Sequence, residues 1–301
     1  MLFPSYRRFV AALMALGLAA TACSSGSDNT TGAGSPVVVV TTSIWADIVR
    51  NITCDGLVEV ETLLPAGADP HGFEPSLSDR SHLESAALVV ANGLGLEAAL
   101  SDLIEVTEDR GTTVVRVGEL VAPGADPNPH VWFDPVRVAD VLPETASVIA
   151  EATELDYADL ESCVVSYVAE LTALDADITD LLATVPAPGR LLVSNHDSLP
   201  WFANRYGFEV AGSVIHADTT LAQADPAQLA ALADRMQADA IPAIFTEEGE
   251  AAPDAQALAD RVGDIVVVAL YTEALGPAGS GADTYIGLLR TNAGRIADAL
   301  T

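Results

Sequence analysis

The stretch DYADLESCVVSYVAELTALDADITDLLAT, from Asp156 to Thr184, divides the chain into two parts that are organised alike. Its apolar residues recur every three or four positions, which is the spacing of a helix. They are Leu160, Val164, Val168, Leu171, Leu174, Ile178 and Leu182. A helix of about 29 residues is roughly 44 Å long, so this one can span two domains. The prolines and glycine of the following VPAPG, residues 185–189, end it.

On both sides of this segment, predicted strands alternate with predicted helices. The β-branched run from Val37 to Thr41 precedes a helical pattern from Ile44 to Ile52. Later strands are predicted over residues 58–64, 87–91, 113–117, 190–194, 209–215, 241–246 and 265–270. This alternation predicts doubly wound parallel sheets. We therefore expect an α/β protein with two Rossmann-like lobes: an N-terminal lobe over residues 37–151, a linking helix over 152–186 and a C-terminal lobe over 187–301.

The N-terminus has the pattern of an export signal. Two arginines precede an apolar run of twelve residues, Phe9 to Ala20, which is too short for a transmembrane helix. The run ends in AATAC, which is similar to a bacterial lipobox, so Cys23 is expected to be lipidated. Residues 1–22 would then be a lipoprotein signal peptide and residues 23–36 a flexible tether. We expect an extracytoplasmic protein that is lipid-anchored to the cell membrane; the alternative is plain secretion with cleavage elsewhere.

The overall charge argues against one class of partner. All thirteen basic residues are arginines, and 43 acidic residues give a formal net charge of −30. A basic patch for DNA or RNA is absent from this composition, so nucleic-acid binding is not expected. Besides Cys23, the cysteines are Cys54 and Cys163. Export permits a disulfide between them, whereas each stands alone and is a poor metal ligand.

Three histidines lie in distinctive segments that follow predicted strands. They are His71 in PAGADPHGFEPS, His130 in NPHVWFDP and His196 in LLVSNHDSLPW. Open α/β sheets bind ligands beyond the carboxyl ends of their strands, so these side chains can meet in the cleft between the lobes. Asp283, in GPAGSGADTY, offers a carboxylate, although it could instead cap the last helix. Three imidazoles and one carboxylate suit zinc well and also accept manganese or iron.

Several neighbouring residues have two interpretations. His216 also follows a strand and is the rival for the fourth ligand position. Asp134, four residues after His130, could support a ligand from behind or cap the helix that begins near Pro135. Glu247 ends a predicted strand and could accept a hydrogen bond from a ligand or be solvated. His82 lies in a polar helical segment and is expected on the surface.

These motifs resemble the metal-binding solute-binding lipoproteins of zinc and manganese ABC importers, solute-binding protein family 9. The resemblance covers nearly all of the chain after its N-terminal segment and rests on LLPAGADPHGFEPS, PHVWFDP, SNHDSLPWFANRYGF and LGPAGSGADTY. It implies two α/β lobes joined by a long rigid helix. It also implies the ligand set His71, His130, His196 and Asp283. Histidine at the third ligand position, His196, favours zinc over manganese. Against this, the stretch ELVAPGADPNPH lacks the extra histidines that many zinc-binding members carry before the second ligand.

The function implied by the resemblance is capture without a chemical step. The protein would bind Zn²⁺, or alternatively Mn²⁺, as a transported ligand and present it to a cognate ABC permease, and we expect it to be a monomer. The rival from another class is an exported zinc hydrolase with Glu247 as general base. That enzyme would need an open coordination position, and the sequence has no His-Glu-x-x-His motif. A metal-binding surface adhesin is a third alternative.

Overall fold

The structure, a computed structural model, describes residues 35–124 and 128–301. The predicted signal peptide and Cys23 lie outside the described residues, as does the tether apart from its last two positions. Within the described ranges, none of the helices is long and apolar enough to cross a membrane.

The first lobe contains a parallel sheet covered by helices. Its strands are β1 (Val37–Val40), β2 (Glu59–Thr62), β3 (Leu88–Ala91) and β4 (Thr113–Arg116). They pair in the order β2-β1-β3-β4, and every pair is parallel. The helices are α1 (Ser43–Ile52), α2 (Leu77–Ser85), α3 (Ser101–Asp109), α4 (Val117–Val121) and α5 (Pro135–Ala152).

The second lobe repeats this topology. Its strands are β5 (Leu191–Ser194), β6 (Glu209–Ser213), β7 (Ala243–Glu247) and β8 (Val266–Leu270), paired in parallel in the order β6-β5-β7-β8. Its helices are α7 (Pro200–Tyr206), α8 (Pro226–Ala238), α9 (Pro253–Val262) and α10 (Tyr285–Leu300). The predicted α/β class with two Rossmann-like lobes is confirmed. The sequence patterns missed α3, α4 and α7.

The long helix predicted from the opening stretch is α6 (Tyr157–Leu182), which has 26 residues. Asp156 caps it by accepting a hydrogen bond from the backbone N–H of Ala158. Its buried stripe follows the prediction except that Tyr167 is buried where Val168, only half-buried, was expected. Because α6 packs against α1 and α5 of the first lobe and α10 of the second, one apolar core runs through both lobes.

Buried hydrogen bonds also join the lobes directly. The indole N–H of Trp132 donates to the carbonyl oxygen of Thr272 at 3.1 Å. The Tyr285 hydroxyl donates in return to the carbonyl oxygen of Trp132 at 2.6 Å. Nearer the ligand segments, the side-chain amide of Asn128 donates to the carbonyl oxygen of Asp197 at 2.7 Å. Together with the shared core, these bonds oppose large hinge movements of the lobes.

The two cysteines of the described chain form a disulfide. Cys54 follows the end of α1, and Cys163 lies in the second turn of α6. The bond closes a loop over a sequence separation of 109 residues. It therefore fastens the first lobe to the linking helix.

Candidate metal centre

Four buried side chains converge between the two sheets. They are His71, His130, His196 and Glu273, which are 4%, 0%, 0% and 8% exposed. One ligand atom from each lies within 4.8 Å of those of the other three. Burying several titratable groups away from water is unfavourable unless their charges are paired or they coordinate a metal ion.

Each lobe contributes two of these residues through segments that follow its strands. In the first lobe, His71 lies in the loop between β2 and α2, and His130 lies in the segment between α4 and α5. In the second lobe, His196 lies two residues after β5 and Glu273 three residues after β8. The group therefore forms where open parallel sheets place their ligands, and it is complete only when both lobes are folded.

The distances within the group match the coordination sphere of a small cation. The Nε2 atom of His130 lies 3.4 Å from that of His71 and 3.1 Å from that of His196. Glu273 Oε1 lies 3.3 Å from His130 Nε2 and 3.2 Å from His196 Nε2, and its Oε2 lies 3.6 Å from His71 Nε2. Donors at 2.0–2.1 Å from a tetrahedral zinc ion are about 3.3 Å apart. One ion at the centre can thus reach all four residues.

The carboxylate of Glu273 is prepared for a cation. Burial alone would raise its pKa, but the charge of His130 and the nearby His196 hold the pKa well below its usual range. Among the described residues, neither oxygen of this carboxylate has a hydrogen-bond donor of good geometry. A buried, ionised carboxylate without such a donor is unfavourable unless a positive charge, from a protonated imidazole or a metal ion, completes its environment.

His196 is oriented by a carboxylate behind it. Its Nδ1–H donates to Glu247 Oε1 at 2.6 Å, while Glu247 Oε2 accepts from the side-chain amide of Asn195 at 2.7 Å. This directs Nε2 towards the centre, as in metal-bound histidines that are held by a carboxylate. Burial lowers the pKa of His196, but the neighbouring carboxylates of Glu247 and Glu273 outweigh this effect and raise the pKa to about 10. An incoming metal must therefore displace a proton.

His130 is oriented in a similar way by an amide. Its Nδ1 and its backbone N–H both lie 3.1 Å from the side-chain oxygen of Asn128. Trp201 in turn donates its indole N–H to the carbonyl oxygen of Asn128 at 3.0 Å. Asn128 was not predicted from the sequence, because an amide two residues before a histidine has no distinctive pattern.

His71 differs from His196 in its charge. Burial lowers its pKa, and the opposing attraction of Glu273 does not offset this. A neutral imidazole at physiological pH can coordinate a metal without first losing a proton. The backbone N–H of His71 donates to Asp69 Oδ1 at 2.9 Å, which fixes the loop at this point.

The structure corrects the expected fourth member of the group. Asp283 is exposed, and its Oδ2 accepts a hydrogen bond from the backbone N–H of Gly279 at 2.8 Å. It does not cap α10 either, because Thr284 does so. Glu273 takes the expected place because β8 ends beside the cleft, whereas the chain has turned outwards by residue 283. The sequence contained a feature that could have identified this residue: like His196, Glu273 closely follows a predicted strand.

The other candidates separate clearly. Glu247 supports a histidine of the group, as one of its two interpretations proposed. Asp134 instead caps α5, accepting from two backbone N–H groups at 3.2 Å. His216 is exposed and lies outside the group. His82 lies partly exposed at the surface, where it was expected, and pairs with Glu61.

Comparison with known proteins agrees with this architecture. Residues 38–299 match the family described as zinc-uptake complex component A, periplasmic (ZnuA). The chain belongs to this family. It is 31% identical over 311 residues to the zinc-binding protein TroA of Treponema pallidum, covering 97% of this chain and 98% of the relative.

Two further matches show how broad the similarity is. The manganese-binding lipoprotein MntA of Halalkalibacterium halodurans is 28% identical over 300 residues, covering 96% of this chain and 97% of its own length. Among solved structures, the periplasmic zinc-binding protein TroA from Treponema pallidum superposes with a TM-score of 0.81 at 30% identity. That alignment covers 89% of this chain and 100% of the solved one. The names of the relatives thus refer to both zinc and manganese.

Proposed function

We propose that this protein is the extracytoplasmic substrate-binding protein of an ABC importer. It captures one divalent transition metal ion, Zn²⁺ in the first place and Mn²⁺ as the alternative, and delivers it to a membrane permease. The observation that carries the proposal is the buried group of His71, His130, His196 and Glu273, whose carboxylate oxygens have no hydrogen-bond partner among the described residues. The zinc- and manganese-binding names of the relatives support it.

The charges around the group suit a dication. Glu273 contributes one negative charge to the centre, and Glu247 places a second one behind His196. When His196 loses its proton to make room for the ion, these two carboxylates balance the charge of M²⁺. The bound state is then locally neutral, whereas the empty state keeps a proton in its place.

The donor set favours zinc over manganese. Three imidazole nitrogens and one carboxylate are a common zinc ligand set, whereas Mn²⁺ prefers more oxygen donors. The 3.1–3.6 Å separations between donor atoms suit a four-coordinate ion. We therefore expect tighter binding of Zn²⁺, with Mn²⁺ reaching higher coordination through the second oxygen of Glu273.

The rival hydrolase is disfavoured by the same contacts. Both oxygens of Glu247 are engaged, one with His196 and one with Asn195, so this carboxylate orients a ligand instead of activating a water. The four donors also surround the centre, while a catalytic zinc keeps an open position. The proposed role therefore requires no chemical step, and the protein is proposed not to be an enzyme.

The remaining proposals concern the ends and divisions of the chain. We keep residues 1–22 as a signal peptide, Cys23 as the lipidated anchor and 23–36 as a tether. The division into lobes over 37–151 and 187–301, with the linker over 152–186, also stays a proposal, as does the monomeric state. The export-signal pattern and the lipoprotein names of relatives support the anchor.

Metal analysis and competition titration of the untagged chain from residue 24 onwards test the proposal. We expect one ion per chain and a lower dissociation constant for Zn²⁺ than for Mn²⁺. Failure to bind either ion tightly, or metal-dependent hydrolysis that Glu247→Ala abolishes, would overturn it. Metal uptake in a strain lacking the protein separates transport from adhesion, because an adhesin would not restore growth at low metal concentration.

A further inference from the structure

One side chain ties the His71 loop to the opposite lobe. Asp69 Oδ1 accepts a hydrogen bond from the backbone N–H of His71 at 2.9 Å. Its other oxygen, Oδ2, accepts a hydrogen bond from the hydroxyl of Thr220. Thr220 lies between β6 and α8 of the second lobe, so the carboxylate joins a ligand segment of one lobe to a loop of the other.

This bracing differs from that of the other two histidines. The Nδ1 atoms of His130 and His196 face Asn128 and Glu247, acceptors from their own lobes. His71 is instead fixed through its backbone by Asp69. The second oxygen of Asp69 is held from across the cleft, as the side-chain amide of Asn128 is by the carbonyl oxygen of Asp197. The position of His71 therefore depends on a contact between the lobes.

The contact also borders the way into the metal centre. A cavity of about 330 Å³ is lined by Asp69 and Thr220 together with Glu247 and Glu273. Beside it, Gly72 lies so close to the second lobe that a Cβ there would be 3.5 Å from the Leu221 side chain and 3.6 Å from Asp69 Oδ2. The two loops thus meet at the edge of the cavity that reaches a ligand.

We propose that the Asp69–Thr220 hydrogen bond is a latch that holds His71 on the metal and sets the rate of its release. The inference rests on the proposed metal-binding function. Since the shared core and the buried bonds between the lobes oppose a large hinge movement, release proceeds by local opening of the His71 loop. Asp69 and Thr220 are positioning residues that act through His71 without touching the ion.

Stopped-flow release of Zn²⁺ into a chelator tests the latch. Thr220→Val removes the hydroxyl and keeps the branched shape, so dissociation should become about tenfold faster, as expected for a lost hydrogen bond to a charged group. Association should change little. Thr220→Ser keeps the hydroxyl, so this variant should release the metal as slowly as the wild-type chain. The matched control is Thr219→Val. Among the described residues, the Thr219 hydroxyl accepts a single, local hydrogen bond from the backbone N–H of Leu221, so its loss should leave release unchanged.

A second variant pair separates the latch from a general structural effect. In the background of His71→Ala, Thr220→Val should no longer accelerate release, because the latch acts through that imidazole. The latch is wrong if Thr220→Val changes the dissociation rate less than twofold, if Thr219→Val has the same effect, or if the acceleration persists without His71. Those outcomes leave the proposed function intact, whereas failure of the wild-type chain to bind metal would remove the function itself.

Discussion

Replacing Glu273 and Asp283 in turn distinguishes the fourth ligand of the structure from the one that the sequence suggested. Glu273 is buried, and its oxygens lie 3.2–3.6 Å from three imidazole nitrogens. Removing one partner from a buried charged group costs about 3–5 kcal/mol, which corresponds to a dissociation constant raised by about 10²–10³·⁵. Asp283 is exposed and accepts one hydrogen bond from a neighbouring loop residue. Surface changes of this kind are usually worth less than about 0.5 kcal/mol.

The assay is competition of each variant with a calibrated chelator for Zn²⁺ at pH 7.5. Glu273→Ala and Glu273→Gln should both weaken binding by at least about a hundredfold, and Asp283→Ala by less than about threefold. Glu273→Gln controls for packing because it keeps the shape of the side chain. Thermal melts of the metal-free variants control for folding. Equal losses from Asp283→Ala and Glu273→Ala would refute the assignment.

Three further predictions concern proton release on metal binding, the carboxylate behind His196 and the disulfide. Because the pKa of His196 is raised to about 10, its imidazole is protonated below that pH and must lose the proton when a metal ion binds. Metal affinity should therefore rise as the pH increases from 7 to 9. Calorimetry in buffers of different ionisation enthalpy should detect about one released proton at pH 7.5, and no release would contradict the assignment. Glu247→Ala should weaken metal binding by about 10–100-fold, whereas His216→Ala should leave the dissociation constant unchanged in the same titration. The double variant Cys54→Ser with Cys163→Ser should lower the free energy of unfolding by about 2–5 kcal/mol in denaturant melts, with metal affinity retained; a loss of affinity would show that the disulfide supports the centre.

The fold was largely predictable because its signals are local. The seven apolar positions in the 156–184 stretch share one face of a helix, and six of them are buried. The exception, Val168, lies beside Tyr167, whose larger side chain faces the core instead. Short helices were missed because α4, with five residues, and α7, with seven, are too brief to show a period.

The metal centre was predictable only in part. Its three histidines stand out because the chain has just five. Glu273 is one of 43 acidic residues, and nothing but its place after β8 distinguishes it. The bond between Asp69 and Thr220 joins residues separated by 151 positions. Contacts of this kind arise from how the two lobes face each other, which local sequence patterns do not encode.

The most direct test of the central claim is a crystal structure of the zinc-loaded protein with anomalous data collected above the zinc edge. One peak should lie between the Nε2 atoms of His71, His130 and His196 and the carboxylate of Glu273, about 2.0–2.2 Å from each. A peak at Asp283 or His216, or a peak that only one lobe coordinates, would contradict the account.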